Sequence, residues 1–413
     1  MKQSIFVPDY YSRFSCIGAR CEDTCCSGWT VAIDRPSYQL YRQTDHPILA
    51  PLFRLAVSQN TSPNANTDAH FGVMKMKSDQ SCFFQQTDKL CAIHSHLGEQ
   101  ALCDTCQIYP RSFNQFGAQR EHALSISCPE AARLVLLNPK SMQFDTLNLE
   151  TSTLRSFISC RFPSQDQGDP AQMSILNDFR ALIIGILQFR QISVGARMML
   201  LGWLLEDTNQ VISSETFKHA SELLPALGAI ADMLRHPVEL EKQFAQIQPD
   251  LPRKLETLNQ LIGQVLSAGS SLRLSECLLA AAEGLAADAG DSDHQLLQKF
   301  KHSFEQHYQP YFQERAYIFE NYLVNMVILR LFPFTRGTYL ELYRELVFNL
   351  SIVQLLLIGV AGKNQGLTEA MVIQVFQSFA RMTDHNRSHL ENLAQALHVH
   401  NQDSFADIMW MLK

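Results

Sequence analysis

The sequence predicts a mainly α-helical protein whose first 160 residues form a cysteine-rich, irregular region. Nine of the 11 cysteines lie in the first 130 residues, and turn formers recur in this part of the chain. From Gln172 onward, apolar residues recur every three or four positions, as in "MSILNDFRALIIGILQFR" and "EAMVIQVFQSFARM", which is typical of amphipathic helices. We therefore expect two domains, residues 1–160 and 171–413, joined by the linker-like segment "FPSQDQGDP".

Composition narrows the range of functions. The 413-residue chain has a formal net charge of -7 and a pI of about 6.1, without the basic stripe typical of nucleic-acid-binding proteins. The opening "MKQSIFVPDYYSRF" lacks the pattern of a signal peptide. The longest apolar stretch, "LVFNLSIVQLLLIGVAG", contains polar residues and barely reaches the length of a membrane span, so it predicts a buried core helix. We expect a cytoplasmic protein without nucleic-acid or membrane partners.

The cysteines form two dense blocks separated by a polar loop. Structural disulfides are rare in a reducing compartment, so clustered thiols there favour metal binding. In the first block, "CEDTCCSGW", Cys21 and Cys25 would share one face of a helix. The second block contains the chelating pair Cys103-Asp-Thr-Cys106. The predicted metal ligands are Cys16, Cys21, Cys25, Cys26, Cys82, Cys91, Cys103, Cys106 and Cys128, whereas Cys160 and Cys277 are interpreted as ordinary buried thiols.

The spacing favours an iron–sulfur cluster over zinc. Structural zinc takes four ligands, usually from two regular CxxC knuckles. This chain has one regular CxxC and nine candidate thiols, and all-thiolate sites suit both zinc and iron–sulfur centres. Zn²⁺ therefore remains the alternative. The nearby His94 and His96 are interpreted as polar residues beside a turn.

Several stretches resemble the flagellin lysine-N-methylase family. "YYSRFSCIGARCEDTCCSGWTVAIDRPSYQLY" (10–41) is similar to the opening signature of that family, which overlaps a broader CxxCxxCC group of zinc- or iron-chelating proteins. "CAIHSHLGEQALCDTCQIYPRSF", "ALSISCPEAARL" and "ENYLVNMVILRLFPF" resemble its later blocks. One departure from the broader group is that its opening CxxC is stretched here to Cys16-x4-Cys21. The resemblance implies S-adenosylmethionine-dependent methylation of lysine side chains of flagellin by an enzyme that carries a [4Fe-4S] cluster.

The sequence contains no recognisable loop for the methyl donor. It has no GxGxxG, which excludes the common Rossmann arrangement, and Gly28 occupies the third position of a radical-type CxxxCxxC motif. The donor must therefore bind differently. An iron with a vacant ligand position that chelates the donor's amino and carboxylate groups is our hypothesis.

Methyl transfer to lysine requires a neutral amine, although free lysine has a pKa of about 10.4. A desolvated pocket lowers that pKa and a neighbouring base takes the proton. The candidates for this catalytic role, chosen for their closeness in sequence to the cysteines, are Asp34, Tyr38 and Tyr109. In "NYLVN", polar Asn321, Tyr322 and Asn325 lie on an apolar helix, which predicts either cofactor binding or a structural polar network.

Two other classes of function stay open at this point. One is a non-enzymatic adaptor or chaperone whose cysteine region binds zinc, and the other is an iron–sulfur redox protein. For the enzyme, we expect the pocket where the cysteine region meets the helical domain, because clefts between domains are frequent ligand sites.

Overall fold

The computed structural model describes residues 2–27, 29–62, 67–150, 158–163, 168–212, 219–256, 259, 263, 271–285, 293–335, 337–385 and 404–413. Predictions for residues 63–66 of the polar loop 58–70, for residues 164–167 of the linker and for Gly28 lie outside the described residues.

Two β-sheets organise the N-terminal region. A five-stranded sheet has the order β7-β1-β6-β5-β8, and a three-stranded antiparallel sheet has the order β2-β4-β3. In the larger sheet, β1 pairs with β6 and β5 with β8 in parallel, whereas its other pairs are antiparallel. The strands are β1 (Lys2–Pro8), β2 (Val31–Ile33), β3 (Val57–Gln59), β4 (Gly72–Met74), β5 (Arg111–Phe116), β6 (Gln119–Leu124), β7 (Phe144–Glu150) and β8 (Cys160–Phe162).

The expectation of an irregular N-terminal region is therefore wrong, because two β-sheets lie in this region. The hairpin β5–β6 turns at Gly117, whose φ of 57° suits glycine. Its strands contain polar residues such as Asn114 and Glu121, which strand propensity disfavours, but both side chains are buried against the helices. Five helices complete the region: α1 (Arg35–Gln43), α2 (Leu49–Ala56), α3 (Ala92–Leu97), α4 (Asp104–Ile108) and α5 (Pro129–Leu136).

The remainder of the described chain is helical, which confirms the mainly α fold. Its helices are α6 (Pro170–Leu187), α7 (Val194–Ile212), α8 (Leu224–Met233), α9 (Pro237–Gln246), α10 (Leu272–Leu285), α11 (Asp293–Ser303), α12 (Gln309–Phe312), α13 (Tyr317–Leu329), α14 (Tyr339–Asn364), α15 (Glu369–His385) and α16 (Ala406–Met409). A π-helical turn, Phe304–Tyr308, joins α11 to α12.

Helix α14 forms the centre of the helical core. Its first turn is capped by a reciprocal pair, because Thr338 accepts from the Glu341 amide while the Glu341 carboxylate accepts from the Thr338 amide. Among the described residues it is the one helix long and apolar enough to cross a membrane, and 89% of its most apolar window is buried. The apolar stretch noted in the sequence is thus a core helix.

The hydrophobic core is continuous across the predicted domain boundary. Tyr10, just after β1, and Leu124 of β6 pack in the same hydrophobic cluster as residues of the helices α13 and α14. A second, smaller core lies beneath the three-stranded sheet and contains Phe53 and Cys103. The sheets therefore hold the cysteine blocks directly against the helical domain.

Candidate metal centre and adjoining polar network

The two cysteine blocks lie side by side. The Cys82 amide donates to the Cys26 carbonyl at 2.7 Å, which joins the end of the first block to the start of the second. Cys103 is the residue that precedes α4, and Cys106 lies one turn into that helix. Cys128 precedes α5 in the same way. Short helices that start at cysteines thus aim several thiols at one volume.

Eight of the nine predicted ligands interact with one another in this volume. Cys106 lies within hydrogen-bonding range of Cys103 and within electrostatic range of Cys26 and Cys91. Other interactions connect Cys82 to Cys91, Cys91 to Cys25, and Cys128 to both Cys21 and Cys25. We call the set the cysteine cluster: Cys21, Cys25, Cys26, Cys82, Cys91, Cys103, Cys106 and Cys128. The ninth, Cys16, is exposed, and metal binding by it stays a prediction.

Most thiols of the cluster are held in the protonated form. Burial raises the pKa of Cys82 to about 11 and that of Cys128 to about 12. Cys103 is the exception, because the hydrogen bond from Cys106 lowers the pKa of its thiol despite burial. Within the described ranges, no three His, Cys, Asp or Glu side chains already have the arrangement of a site for a metal ion. Metal binding by these thiols stays a prediction, and it would release protons.

Helix α15 clamps the first cysteine block through Asp23. Arg381 Nη1 donates to Asp23 Oδ2 at 2.6 Å and Gln377 Nε2 to the same oxygen at 2.7 Å. Gln377 also donates to the carbonyl of Ser127, at 2.9 Å, and Arg381 to the hydroxyl of Ser27, at 2.9 Å. Arg381 is nearly buried. The pKa of the Cys25 thiol is raised because this thiol hydrogen-bonds with Cys26 and is desolvated, and the charge of Arg381 opposes that rise. One buried guanidinium thus orders the block and offsets thiolate charge.

A chain of hydroxyl groups leads from the cysteine cluster into the helical domain. Tyr109 lies within electrostatic range of Cys25 and Cys128, and its hydroxyl is 3.1 Å from Ser127 Oγ. Ser127 Oγ is 2.7 Å from Ser125 Oγ, which donates to Asp384 Oδ2 at 2.6 Å. This series of hydroxyl groups therefore ends at the carboxylate of Asp384, on α15.

Arg330 joins that carboxylate to a second one on α14. Its Nη2 lies 2.8 Å from Asp384 Oδ1, and its Nη1 donates to Glu345 Oε1. Burial alone would lower the pKa of Arg330, but the two carboxylates outweigh it and raise that pKa, so the guanidinium stays charged. The Tyr322 hydroxyl lies within electrostatic range of all three charges, and burial raises its pKa. We call Tyr109, Ser127, Ser125, Asp384, Arg330 and Glu345 the polar network.

The three catalytic candidates occupy different environments. Tyr109 belongs to the polar network. Asp34 caps α1 by accepting from the Ser37 amide at 2.9 Å, and it also accepts from the Asp104 amide at 2.8 Å. Tyr38 contacts Phe71 edge to face, with ring centroids 5.1 Å apart. The contacts of Asp34 are those of a structural residue, and a catalytic role for any of the three stays a prediction.

The three candidates in "NYLVN" also lie in different environments. Asn325 Nδ2 donates to the Leu124 carbonyl at 3.1 Å and its Oδ1 accepts from Tyr10. Asn321 Nδ2 donates to the Asn138 carbonyl at 2.8 Å. Both asparagines thus tie α13 to the N-terminal region, whereas Tyr322 points to the polar network. Cofactor binding by the three stays a prediction.

Sequence reasoning missed most of the polar network. The missed residues are Ser125, Ser127, Arg330, Glu345 and Asp384. For Glu345 a signal existed: it is a charged residue in the apolar run "YRELVFNLS", the same signal that singled out Asn321 and Asn325.

Comparison with known proteins defines the class. A family model described as the FliB lysine N-methylase C-terminal domain matches residues 180–411, more than half of the chain. The class is therefore that of protein-lysine N-methyltransferases. The chain belongs to the FliB lysine N-methylase family.

Three similar proteins are from Salmonella. A lysine-N-methylase of Salmonella typhimurium (strain LT2) is 25% identical over 341 residues, which cover 79% of this chain and 78% of that protein. The lysine-N-methylase of Salmonella choleraesuis (strain SC-B67) matches with the same identity and coverage. The flagellar biosynthetic protein FliU of Salmonella muenchen is 29% identical over 136 residues, 33% of this chain and 78% of that protein. No solved structure matches the chain.

Proposed function

We propose that the protein transfers methyl groups from S-adenosylmethionine to lysine side chains of flagellin in the cytoplasm, and that the cysteine cluster holds a [4Fe-4S] cluster. The names of the Salmonella relatives support a lysine substrate and a flagellar setting. The observation that carries the proposal is the position of the cysteine cluster, which adjoins a buried polar network at the junction with the helical domain.

The donor set fits an iron–sulfur centre in its chemistry. All eight side chains are thiols, the ligand type that iron–sulfur clusters use. Arg381 supplies a nearly buried positive charge beside Cys25, which such thiolates need for charge compensation. When bound, the cluster would offer an iron to which the amino and carboxylate groups of the donor could coordinate.

The chain's own residues must prepare the lysine. In the transfer, a bond forms from the lysine nitrogen to the methyl carbon, the carbon–sulfur bond breaks, and its electron pair stays on sulfur. The ammonium must first lose a proton. The polar network offers Glu345 and Asp384 as acceptors, and the buried junction removes the water that keeps the amine charged.

Mass spectrometry of flagellin tests the proposal. Anaerobically reconstituted protein, incubated with flagellin and S-adenosylmethionine, should add the mass of one methylene per methyl group to lysine-containing peptides. Iron and sulfide analysis of the same sample reports cluster loading. Metal-loaded protein that leaves flagellin unchanged would refute the proposal, and a colourless zinc protein without transfer would favour the adaptor alternative.

A further inference from the structure

Asn349, in the middle of α14, is a buried amide without partners. Its side chain is 0% exposed, and neither its Nδ2 nor its Oδ1 has a hydrogen-bond partner among the described residues. An unsatisfied buried polar group costs about 1–3 kcal/mol. Native proteins pair nearly all such groups, so this amide calls for a ligand that supplies the missing bonds.

Glu345 lies one helical turn before Asn349 and on the same face of α14. Arg330 engages Oε1 of this carboxylate. Glu345 and Asn349 thus present two acceptor oxygens, a carboxylate and an amide, along one line of the helix.

The charge of the surrounding groups favours a cation. Arg330 carries one positive charge against the two carboxylates of Glu345 and Asp384, which leaves one negative charge uncompensated among these three. The Arg330 side chain is 23% exposed, whereas Asn349 is fully buried, so these polar groups range from the protein surface to its core. Most of the buried residues of α13 and α14 are apolar. An ammonium group on a flexible apolar stem matches this combination.

We propose that Glu345 and Asn349 bind the ε-ammonium group of the substrate lysine, and that Arg330 positions Glu345 for this contact. The inference rests on the proposed function and names where its substrate enters. Glu345 supplies the opposite charge and Asn349 a neutral acceptor. Recognition of the lysine thereby lies next to the hydroxyl chain that leads to the cysteine cluster.

Two variants and a matched control test the site by kinetics. A charge-assisted hydrogen bond contributes about 1.5–3 kcal/mol, so Glu345→Gln should raise KM for flagellin about 10- to 100-fold. Its KM for S-adenosylmethionine and its iron content should not change. Glu283→Gln removes a carboxylate of an exposed pair with Lys363 and should methylate like the wild type.

Asn349→Leu separates a substrate-binding role from a structural one. Because the amide has no hydrogen-bond partner among the described residues, leucine at this position should keep or raise the melting temperature. Our inference requires a loss of flagellin methylation of about 10-fold in this stable protein, in line with one lost hydrogen bond. A purely structural amide predicts unchanged methylation.

Ligand binding gives a readout that does not depend on turnover. N-acetyl-lysine methylamide should raise the melting temperature of the wild type but not of Glu345→Gln, and the norleucine analogue, which lacks the amine, should affect neither. Folded, metal-loaded Glu345→Gln and Asn349→Leu with wild-type KM and wild-type thermal shifts would overturn the inference. A wild-type protein that methylates no flagellin lysine would instead overturn the proposed function.

Discussion

The ion pair between Glu121 and Arg180 fastens the larger sheet to α6 and gives a quantitative prediction. Arg180 donates to both carboxylate oxygens, at 2.9 and 2.8 Å, and the two side chains are 1% and 3% exposed. In Glu121→Ala the guanidinium stays buried without its counter-charge, which costs about 3–5 kcal/mol. Arg180 also lies over the Phe116 ring at 4.5 Å, a contact worth about 1–2 kcal/mol that survives the substitution and keeps the loss at the lower end of that range.

Urea unfolding followed by circular dichroism measures this loss. The control is Asp68→Ala, which breaks an exposed pair whose side chains are 44% and 78% accessible and should cost less than about 1 kcal/mol. Replacing the buried pair by Leu and Met together should cost far less than Glu121→Ala alone, because no unpaired charge remains. A loss in Glu121→Ala no larger than in the control would refute the reasoning.

Three further predictions concern the metal, the clamp and pH. Cys106→Ala should lose most of its bound iron and melt at a lower temperature, whereas Cys277→Ala, at a buried thiol beside Ser378 that is not one of the predicted ligands, should keep both, as metal analysis and calorimetry would show. Arg381→Ala removes the 2.6 Å ion pair with Asp23 and should lower the amount of iron retained during gel filtration. Iron retention equal to that of the wild type would contradict the idea that Arg381 orders the first cysteine block. Burial and two neighbouring arginines lower the pKa of His122 to about 4. As the pH falls, the His122 imidazole is therefore protonated in the unfolded chain before it is protonated in the folded chain. Stability should then fall by about 3 kcal/mol as pH drops from about 6.5 to 4, and in His122→Phe this part of the slope should vanish in urea titrations at each pH.

The helices could be predicted because their signals are local. Apolar residues at helical spacing mark α6, α14 and α15, and the capping pair of Thr338 and Glu341 marks where α14 begins. The apolar run within α14 is a core helix, because 89% of its most apolar window is buried inside the protein. None of this needs knowledge of a distant segment.

The larger sheet could not be predicted in the same way. Strand β6 carries Glu121 and His122 at consecutive buried positions, a pattern that predicts neither a half-buried strand nor an apolar one. The strand exists because β1 and β5 pair with it and because Arg180 neutralises Glu121. Its partners include β1, more than a hundred residues away in sequence, so the information is non-local.

In the candidate site, too, the sequence predicts the part that has local signals and misses the part formed by distant residues. Spacing alone singled out nine thiols, the eight of the cysteine cluster and Cys16, because dense blocks of cysteine are rare without a metal or redox role. The polar network has no spacing to detect: Ser125 meets Asp384 across 259 positions, and Arg330 meets Asp384 across 54. Only folding brings these groups together.

The contacts at the junction make the cysteine region and the helical domain interdependent. Arg381 and Gln377 lie within the segment that matches the family model, whereas the Asp23 that they hold lies outside it, between the first cysteines. Substitutions on α15 should therefore act on the cysteine cluster, and loss of cysteine ligands should disturb the carboxylate end of the polar network. A helical domain expressed alone would expose the face that receives Asp23 and Ser127, and the cysteine region alone would lose the guanidinium beside Cys25. The arrangement thus supports a site formed by both regions together, in which hydrogen bonds lead from Tyr109, beside Cys25 and Cys128, to the carboxylate of Asp384 on α15.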